Sequence, residues 1–590
     1  MTTLAEQYPI IRKNALETTL AKSDAAYHDL YDSFQWEQMS QELKLPRANG
    51  INKATICIDD HSPEVMKKDA LLWEGSSGQK ERYTFDDLRI ETNRFANVLK
   101  NLGIQKGDRV FIFLERVPET FITLFGTLKL CAIASPLFSA FGPDAIKDRL
   151  LDSEAIAIIT SPALKPRLDQ IRHELPHLKH VILVDRNENA SPKNASSEPG
   201  LVHYKTAMAE ASPEFTVPYT DPDDYSIMHY TSGTTGKPKG VVHRHAAIIA
   251  QAATGKIVLD FKPQTDRYWC TADPGWVTGT SYGMFAPWAL GVTMLVYEGA
   301  FQASSWYRLI QEYGITVWYT APTAIRMLMK AGDDIVRQYD LSCLRHLCSV
   351  GEPLNPEAIV WGQKVFGHVF HDTWWQTETG AIHISNLPCL DVKPGSMGKP
   401  IPGSRAVILD DEWNPLPDGE EGNLAVGVEA PSIFRTYWKK EDVYQSRFRN
   451  NWYITGDRAS VDKDGYYWFI GRADDVINTA GHLVGPFEVE SALVAHPAVA
   501  EAGVIGKPDK ERMEVVKAFI ALKAGYEPSD KLKQEIQTFV RGRLAAHAYP
   551  REIEFLADGL PKTRSGKIMR RLLKARELGL PEGDISTLED

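Results

Sequence analysis

From about residue 80 the chain alternates short apolar runs with amphipathic stretches. Val110–Leu114 predicts a strand, the stretch after Pro118 a helix, Ala132–Ser135 a strand, Pro143–Leu151 a helix, and Ala155–Thr160 and His180–Val184 two more strands. The pattern resumes at Ser226–Tyr230, Val292–Tyr297, Ile315–Tyr319 and Leu347–Val350, with helical stretches between the last three. Strands that alternate with helices imply mostly parallel sheets covered by helices. After Gly471 the character changes. Val515–Leu522 reads as a strand between helices near Phe487–His496 and Ser529–Leu544, and this last stretch of about 120 residues is the size of a small α+β domain. The expected fold class is therefore α/β: a large N-terminal domain of layered, mostly parallel sheets with helices, then a small α+β C-terminal domain.

Composition narrows the class. A chain of 590 residues with 43% apolar and 24% charged residues is an ordinary globular protein, long enough to bury a large core without disulfides or metals. Lys and Arg total 66 against 77 Asp and Glu, a formal charge of −11, which argues against broad nucleic-acid binding. The six cysteines are scattered, and the closest pair, Cys343 and Cys348, has no second pair at zinc-site spacing; a reducing, cytoplasmic location is expected. Met1–Leu20 has no apolar core behind a basic start, so no signal peptide is read. Phe121–Phe141 is the most membrane-like stretch, with Lys129 at its centre and Pro136 near its end. A central charge costs about 2.5–3.5 kcal/mol on insertion, so this stretch reads as a buried helix leading into a strand, and no membrane partner is expected. Asp185–Gly200 is polar and reads as an exposed loop.

The most informative segment is YTSGTTGKPKG, Tyr230–Gly240. Hydroxyls at Thr231, Ser232, Thr234 and Thr235 alternate with Gly233 and Gly236, and Lys237 and Lys239 follow. Glycines let backbone N–H groups approach phosphate oxygens, and hydroxyls and ammonium groups complete a polyphosphate site. It is not a Walker A loop, which needs four residues between its glycines and then Lys-Ser/Thr. Here two residues separate Gly233 from Gly236, and Pro238 follows Lys237.

This segment resembles the signature loop of the adenylate-forming superfamily of acyl-CoA synthetases, luciferases and peptide-synthetase adenylation domains. Four more segments match in the expected order: SVGEPLNPEA from Ser349, DTWWQTETG from Asp372, YITGDRASVDKDGYYWFIGRADD from Tyr453 and PKTRSGKIMRR from Pro561. The resemblance spans roughly residues 30–580 and is nearest to acetyl-CoA synthetases of a shorter bacterial kind. It implies a ligase that joins acetate to CoA in two steps, with ATP and CoA as co-substrates and Mg²⁺ as cofactor, through an acetyl-adenylate and with release of AMP and pyrophosphate.

The resemblance also assigns residues. Thr377 matches the threonine that touches the α-phosphate, and Glu378 the carboxylate that holds Mg²⁺. Gly351, Glu352 and Pro353, with Asp372, Thr373 and Trp374, match the walls around adenine, and Gln376 lies in the same motif. Asp457 matches the acceptor for both ribose hydroxyls, and Arg472 a phosphate- or ribose-contacting arginine. Lys567 matches the catalytic lysine that bridges the carboxylate and the α-phosphate. That lysine must approach for adenylation and withdraw for thioester formation, so the C-terminal domain is expected to be mobile. The hinge would lie at Asp474, dividing the chain into residues 1–473 and 474–590. Acetylation of Lys567 would remove its charge, which makes a lysine acetyltransferase or deacetylase a possible partner.

Trp375 stands where many long-chain relatives have glycine, and an indole there would fill the tunnel of a longer acid. Trp276, Val277, Thr278 and Val350 match the rest of an acetate pocket. Two departures affect the other sites. Leu483 replaces an arginine that reaches the adenylate phosphate, and Ala480 replaces a hydroxyl residue near CoA. Thr278, Lys165, Arg167 and Arg541 are the CoA-binding candidates, and Val494, His496 and Val499 match in type a turn that holds a structural cation in some relatives.

Overall fold

The computed structural model describes the chain except residues 1–7, 13–23, 187–197, 232–237, 480–481, 510–511, 545–546, 564–566, 583–584, 586–587 and 589–590. The predicted strands lie within two residues of their expected ends, at Arg109–Phe113, Ile133–Pro136, Ala157–Thr160, His180–Leu183, Tyr225–Thr231, Thr293–Tyr297, Val317–Thr320 and His346–Ser349. Prolines open the helices Pro118–Lys129, Pro143–Ser153, Pro322–Ala331, Pro356–Phe366 and Pro486–Val494, where the missing N–H is harmless and φ is already helical. The helix Phe85–Asn101 starts on a reciprocal cap: Thr84 Oγ1 accepts from the Asp87 N–H at 3.1 Å, and Asp87 Oδ2 from the Thr84 N–H at 2.9 Å.

Two large sheets dominate. One runs in the order Thr436–Tyr437, Lys239–Arg244, Tyr225–Thr231, Ile133–Pro136, Arg109–Phe113, Ala157–Thr160, His180–Leu183, Leu201–His203, parallel from Tyr225–Thr231 onward. The other has a parallel centre of Phe370–Trp374, His346–Ser349, Val317–Thr320, Arg267–Cys270, Thr293–Tyr297 and Asp69–Glu74, with antiparallel edges. The membrane-like stretch is the helix Pro118–Lys129, buried except at Glu119, followed by the strand Ile133–Pro136. Its Lys129 ammonium donates to Asp59 and Asn93, each at 2.7 Å. Gly126 lets this helix press on Phe85–Asn101; a Cβ there would meet Phe95 and the Thr92 carbonyl at 2.9 Å. Among the described residues no helix is long and apolar enough to cross a membrane.

A third, antiparallel sheet of Ala406–Leu409, Glu421–Gly427, Trp452–Val461, Phe448–Arg449 and Tyr467–Arg472 was not anticipated from the sequence. The C-terminal region is smaller. Met513–Leu522 pairs with Val499–Asp509, Ile477–Thr479 and Glu552–Phe555, and the helices Pro486–Val494 and Asp530–Arg543 complete its core. The sheet layers and this α+β unit match the expected fold class.

Candidate active site

One cavity of about 2360 Å³ opens where the carboxyl ends of parallel strands from both large sheets face the C-terminal region, the usual ligand position in open α/β sheets. Thr231 ends one strand, Val350 to Pro353 follow His346–Ser349, and Asp372 to Glu378 end and follow Phe370–Trp374; all line the cavity. Trp276, Val277, Thr278, Asp457, Arg472, Asp474 and Lys567 line it too. The loop residues Ser232, Gly233, Thr234, Thr235, Gly236 and Lys237 lie outside the described residues, as does Ala480.

Asp457 is set by its strand, Trp452–Val461, whose register pairs it with Arg472. It is 4% exposed. Its Oδ2 accepts from Trp374 Nε1 at 3.0 Å and from Gln376 Nε2 at 2.9 Å. Arg472 Nη1 stands 3.2 Å from Oδ1, which accepts no hydrogen bond among the described residues. Burial raises the Asp457 pKa, and Arg472, Trp374 and Lys567 oppose that. The result is a pinned carboxylate with one open acceptor, the form a vicinal diol needs.

Trp375 is fixed by a directed chain. Its Nε1–H donates to Tyr319 Oη at 3.2 Å, and Tyr319 meets Thr373 Oγ1 at 2.7 Å. Thr373 Oγ1 donates to the Ser349 carbonyl at 2.7 Å, so it must accept from the tyrosine. Tyr282 lies edge-on to the indole at 5.1 Å. Trp276 packs on Phe138 at 5.5 Å, and among the described residues its buried Nε1 has no hydrogen-bond partner. Glu378 accepts from Tyr437 Oη at 2.9 Å. The turn beside it depends on Gly380 (φ +67°), where a Cβ would fall 2.6 Å from the Ser432 carbonyl and 2.7 Å from the His243 ring. Asp372 accepts from the Thr373 N–H at 3.0 Å and the Leu354 N–H at 3.4 Å, yet burial pushes its pKa up to about 7.

Lys567 enters from the C-terminal region. Its loop is closed by the Thr563 N–H donating to the Lys567 carbonyl at 2.7 Å and the Lys567 N–H donating to Thr563 Oγ1 at 3.0 Å. The side chain keeps solvent access because it stands inside the cavity. Crowding by protein lowers its pKa, as does Arg472, while Glu352 and Asp457 raise it. Glu352 is held by Thr323 at 2.7 Å and Arg326 at 3.0 Å. Arg570, three residues on, pairs with Glu490 at 2.7 Å.

Other sequence candidates are engaged elsewhere. Lys165 pairs with Asp169 at 2.7 Å and Glu198 at 3.0 Å, Arg167 donates to the Ser139 carbonyl at 2.8 Å, and Arg541 lies over the Tyr549 ring at 5.5 Å. None of the three lines the cavity, so of the CoA candidates only Thr278 reaches it. Val494 and Val499 border its rim. His496 Nδ1 accepts from the Ala498 N–H at 3.2 Å, its carbonyl accepts from the Val499 N–H at 3.0 Å, and its ring packs edge-on to Phe539 at 4.9 Å. Among the described residues no group of three or more His, Cys, Asp or Glu is arranged to hold a metal ion. Sequence reasoning missed Arg447, which lines the cavity beside Lys239 and interacts with Glu378 and Tyr437. The stretch QSRFRNN, with arginines at 447 and 449, carries no motif that could have flagged Arg447. Lys239 and Arg472 line the cavity with it.

The family described as AMP-binding enzyme matches residues 59–438, and the AMP-binding enzyme C-terminal domain matches residues 488–567. The acetyl-coenzyme A synthetase of Bacillus subtilis (strain 168) is 52% identical over 96% of this chain and 97% of its own length. That of Methanothrix thermoacetophila is 43% identical over 91% of this chain and 84% of its own. Among solved structures, a Brucella canis acyl-CoA synthetase superposes with a TM-score of 0.73 at 37% identity, covering 94% of this chain and 99% of that one. The anthranilate CoA ligase AuaEII, in complex with anthranoyl-AMP, gives 0.81 at 32% identity, covering 90% and 97%.

Proposed function

The chain belongs to the AMP-binding enzyme family, and we propose that it is an AMP-forming acetate:CoA ligase, making acetyl-CoA, AMP and pyrophosphate from acetate, CoA and ATP. The observation that carries this reading is the meeting in one cavity of the Lys567 ammonium, the Asp457 carboxylate and the hydrogen-bonded indole of Trp375.

In the first half-reaction a carboxylate oxygen of acetate bonds to the α-phosphorus as the bond to the pyrophosphate oxygen breaks. Negative charge concentrates on the phosphorus oxygens, and fixed cations in a water-poor site stabilise it most. Lys567, Arg472, Lys239 and Arg447 line that region. Thr377 would contact the α-phosphate, and Asp457 would accept the ribose hydroxyls through its open Oδ1. Gly351–Pro353 and Asp372–Trp374 would wall the adenine. Glu378 has the hard oxygen donor that Mg²⁺ prefers, so Mg²⁺ arriving with ATP would rest there and neutralise phosphate charge. Trp375, Trp276, Val277, Thr278 and Val350 would enclose the methyl group.

In the second half-reaction the CoA sulfur bonds to the acyl carbon, the acyl–phosphate C–O bond breaks and AMP leaves. The space taken by Lys567 must then be vacated. Asp474, two residues past the end of the strand Tyr467–Arg472, is the hinge in this reading, and residues 474–590 turn about residues 1–473. Acetylation of Lys567 by an acetyltransferase, reversed by a deacetylase, would switch adenylation off. Among the described residues none of the six cysteines forms a disulfide, which suits the cytoplasm. AMP release from ATP and CoA with a panel of acids tests the reading: acetate should be the best substrate and propionate a poorer one. A preference for hexanoate or benzoate would overturn it.

A further inference from the structure

Outside the groups assigned so far lies a fully buried amine. Lys53 is 0% exposed, and among the described residues its Nζ has no hydrogen-bond partner. The Nζ lies 4.7 Å from the centroid of the Phe285 ring. Lysines are almost never fully buried unless paired, as Lys129 is with Asp59. Three buried histidines are coupled electrostatically to Lys53: burial lowers the pKa of each, and the Lys53 charge lowers it further. His245 Nδ1 accepts from the Lys53 backbone N–H at 3.0 Å, so its proton sits on Nε2, which is buried and has no partner among the described residues. His229 lines the cavity, and its Nε2 is 2.8 Å from Oγ1 of Thr280, the last residue of the short helix Val277–Thr280. His243, kept neutral with a pKa near 3 by burial and by Lys53, has its Nε2 2.7 Å from the Thr377 carbonyl. Two of the three histidines coupled to Lys53 thus touch the helix of the wall assigned to the acid and the carbonyl of the threonine assigned to the α-phosphate.

We propose that Lys53 is a positioning residue for the substrate carboxylate: as the acid's negative charge arrives, the Lys53 amine takes up a proton from solvent, and the ammonium so formed favours the bound acid. Burial brings the lysine to a pKa of about 7, so near neutrality part of the population is ready to gain a proton. The titratable groups facing it are Cys57 on the segment Thr55–Asp59, His229 and His243 on adjacent strands, and His245 in the turn that follows. Beyond them stand Lys106 and Arg244, which act on His245 and His243, and Asp59, which acts on Cys57. Burial keeps Cys57 a neutral thiol, and Asp59 is bound to Lys129. Among the described residues no carboxylate acts on Lys53, which leaves the substrate to supply the negative charge.

This inference rests on the assignment of the Val277–Thr278 wall to the acid, and the test separates the two. kcat/KM for acetate is measured from about pH 6 to about pH 8 in the wild type and in Lys53→Met. Other groups that titrate there, such as Asp372, are present in both chains, so the wild-type-to-variant ratio reports Lys53. The ratio should fall by about threefold or more across the range, in KM rather than kcat. A purely structural role would give a ratio independent of pH, and a flat or rising ratio overturns the proposal. Lys53→Gln, measured in the same way, decides the matter if Lys53→Met does not fold. A wild type that does not use acetate at all would sink the acyl assignment and this inference together, whereas acetate turnover with a flat ratio sinks only the inference.

Discussion

Replacing Trp375 by glycine removes the group on which the acid's chain length is argued to depend. The indole is held by Tyr319 at 3.2 Å and edge-on to Tyr282 at 5.1 Å. Tyr319 keeps Thr373 at 2.7 Å, so no buried polar group is orphaned. The lost ring pair costs about 0.5–1.5 kcal/mol of stability. Each methylene of a longer acid that enters the freed space is worth about 0.8 kcal/mol. Hexanoate has four methylenes more than acetate, so it gains up to about 3 kcal/mol, or about 200-fold in kcat/KM relative to acetate. Steady-state AMP release with straight-chain acids from acetate to hexanoate measures this directly. A variant that still uses acetate but leaves the hexanoate-to-acetate ratio at its wild-type value would refute the reasoning.

Three further outcomes follow from the geometry. Asp474→Pro should trap one arrangement of the C-terminal region, so that one half-reaction, measured alone, survives while overall turnover falls; unchanged turnover would count against the hinge. Asp457→Asn should raise KM for ATP by about 10- to 100-fold, the worth of hydrogen bonds to a charged acceptor, with kcat for bound substrate less affected. The Asp372 carboxyl, raised by burial from 3.8 to about 7, binds a proton in the folded chain that the unfolded chain has released. Stability should therefore fall as pH rises from about 4 to about 7 and level off above. Thermal denaturation of ligand-free Asp372→Asn should show a shallower slope over that range, and an unaltered slope would place the effect elsewhere.

The sequence made legible whatever is local in the chain. Apolar runs such as Val110–Leu114 and Ile315–Tyr319 lie buried at the centres of the two large sheets, and the motifs around Thr377, Asp457 and Lys567 converge on one cavity. The third sheet was not legible because its strands are short or mixed in polarity; Trp452–Val461 carries Gly456, Asp457 and Arg458 in mid-strand. Lys165 and Arg167 looked available to a phosphate because nothing nearby in sequence announces the Glu198 carboxylate or the Ser139 carbonyl that engages them. Arg447 and Lys53 were invisible for the complementary reason. Arg447 gains its meaning from Glu378, 69 residues earlier, and from Tyr437, and Lys53 gains its meaning from three histidines more than 170 residues away; no local motif around either flags it.

The central claim is that a lysine from the C-terminal region visits the bound nucleotide for one half of the reaction and leaves for the other. Lys567→Ala, assayed separately for acetate-dependent exchange of pyrophosphate into ATP and for acetyl-CoA formation from preformed acetyl-adenylate, tests it most directly. The account predicts loss of the exchange with thioester formation largely retained, whereas equal loss of both, or full retention of the exchange, would contradict it.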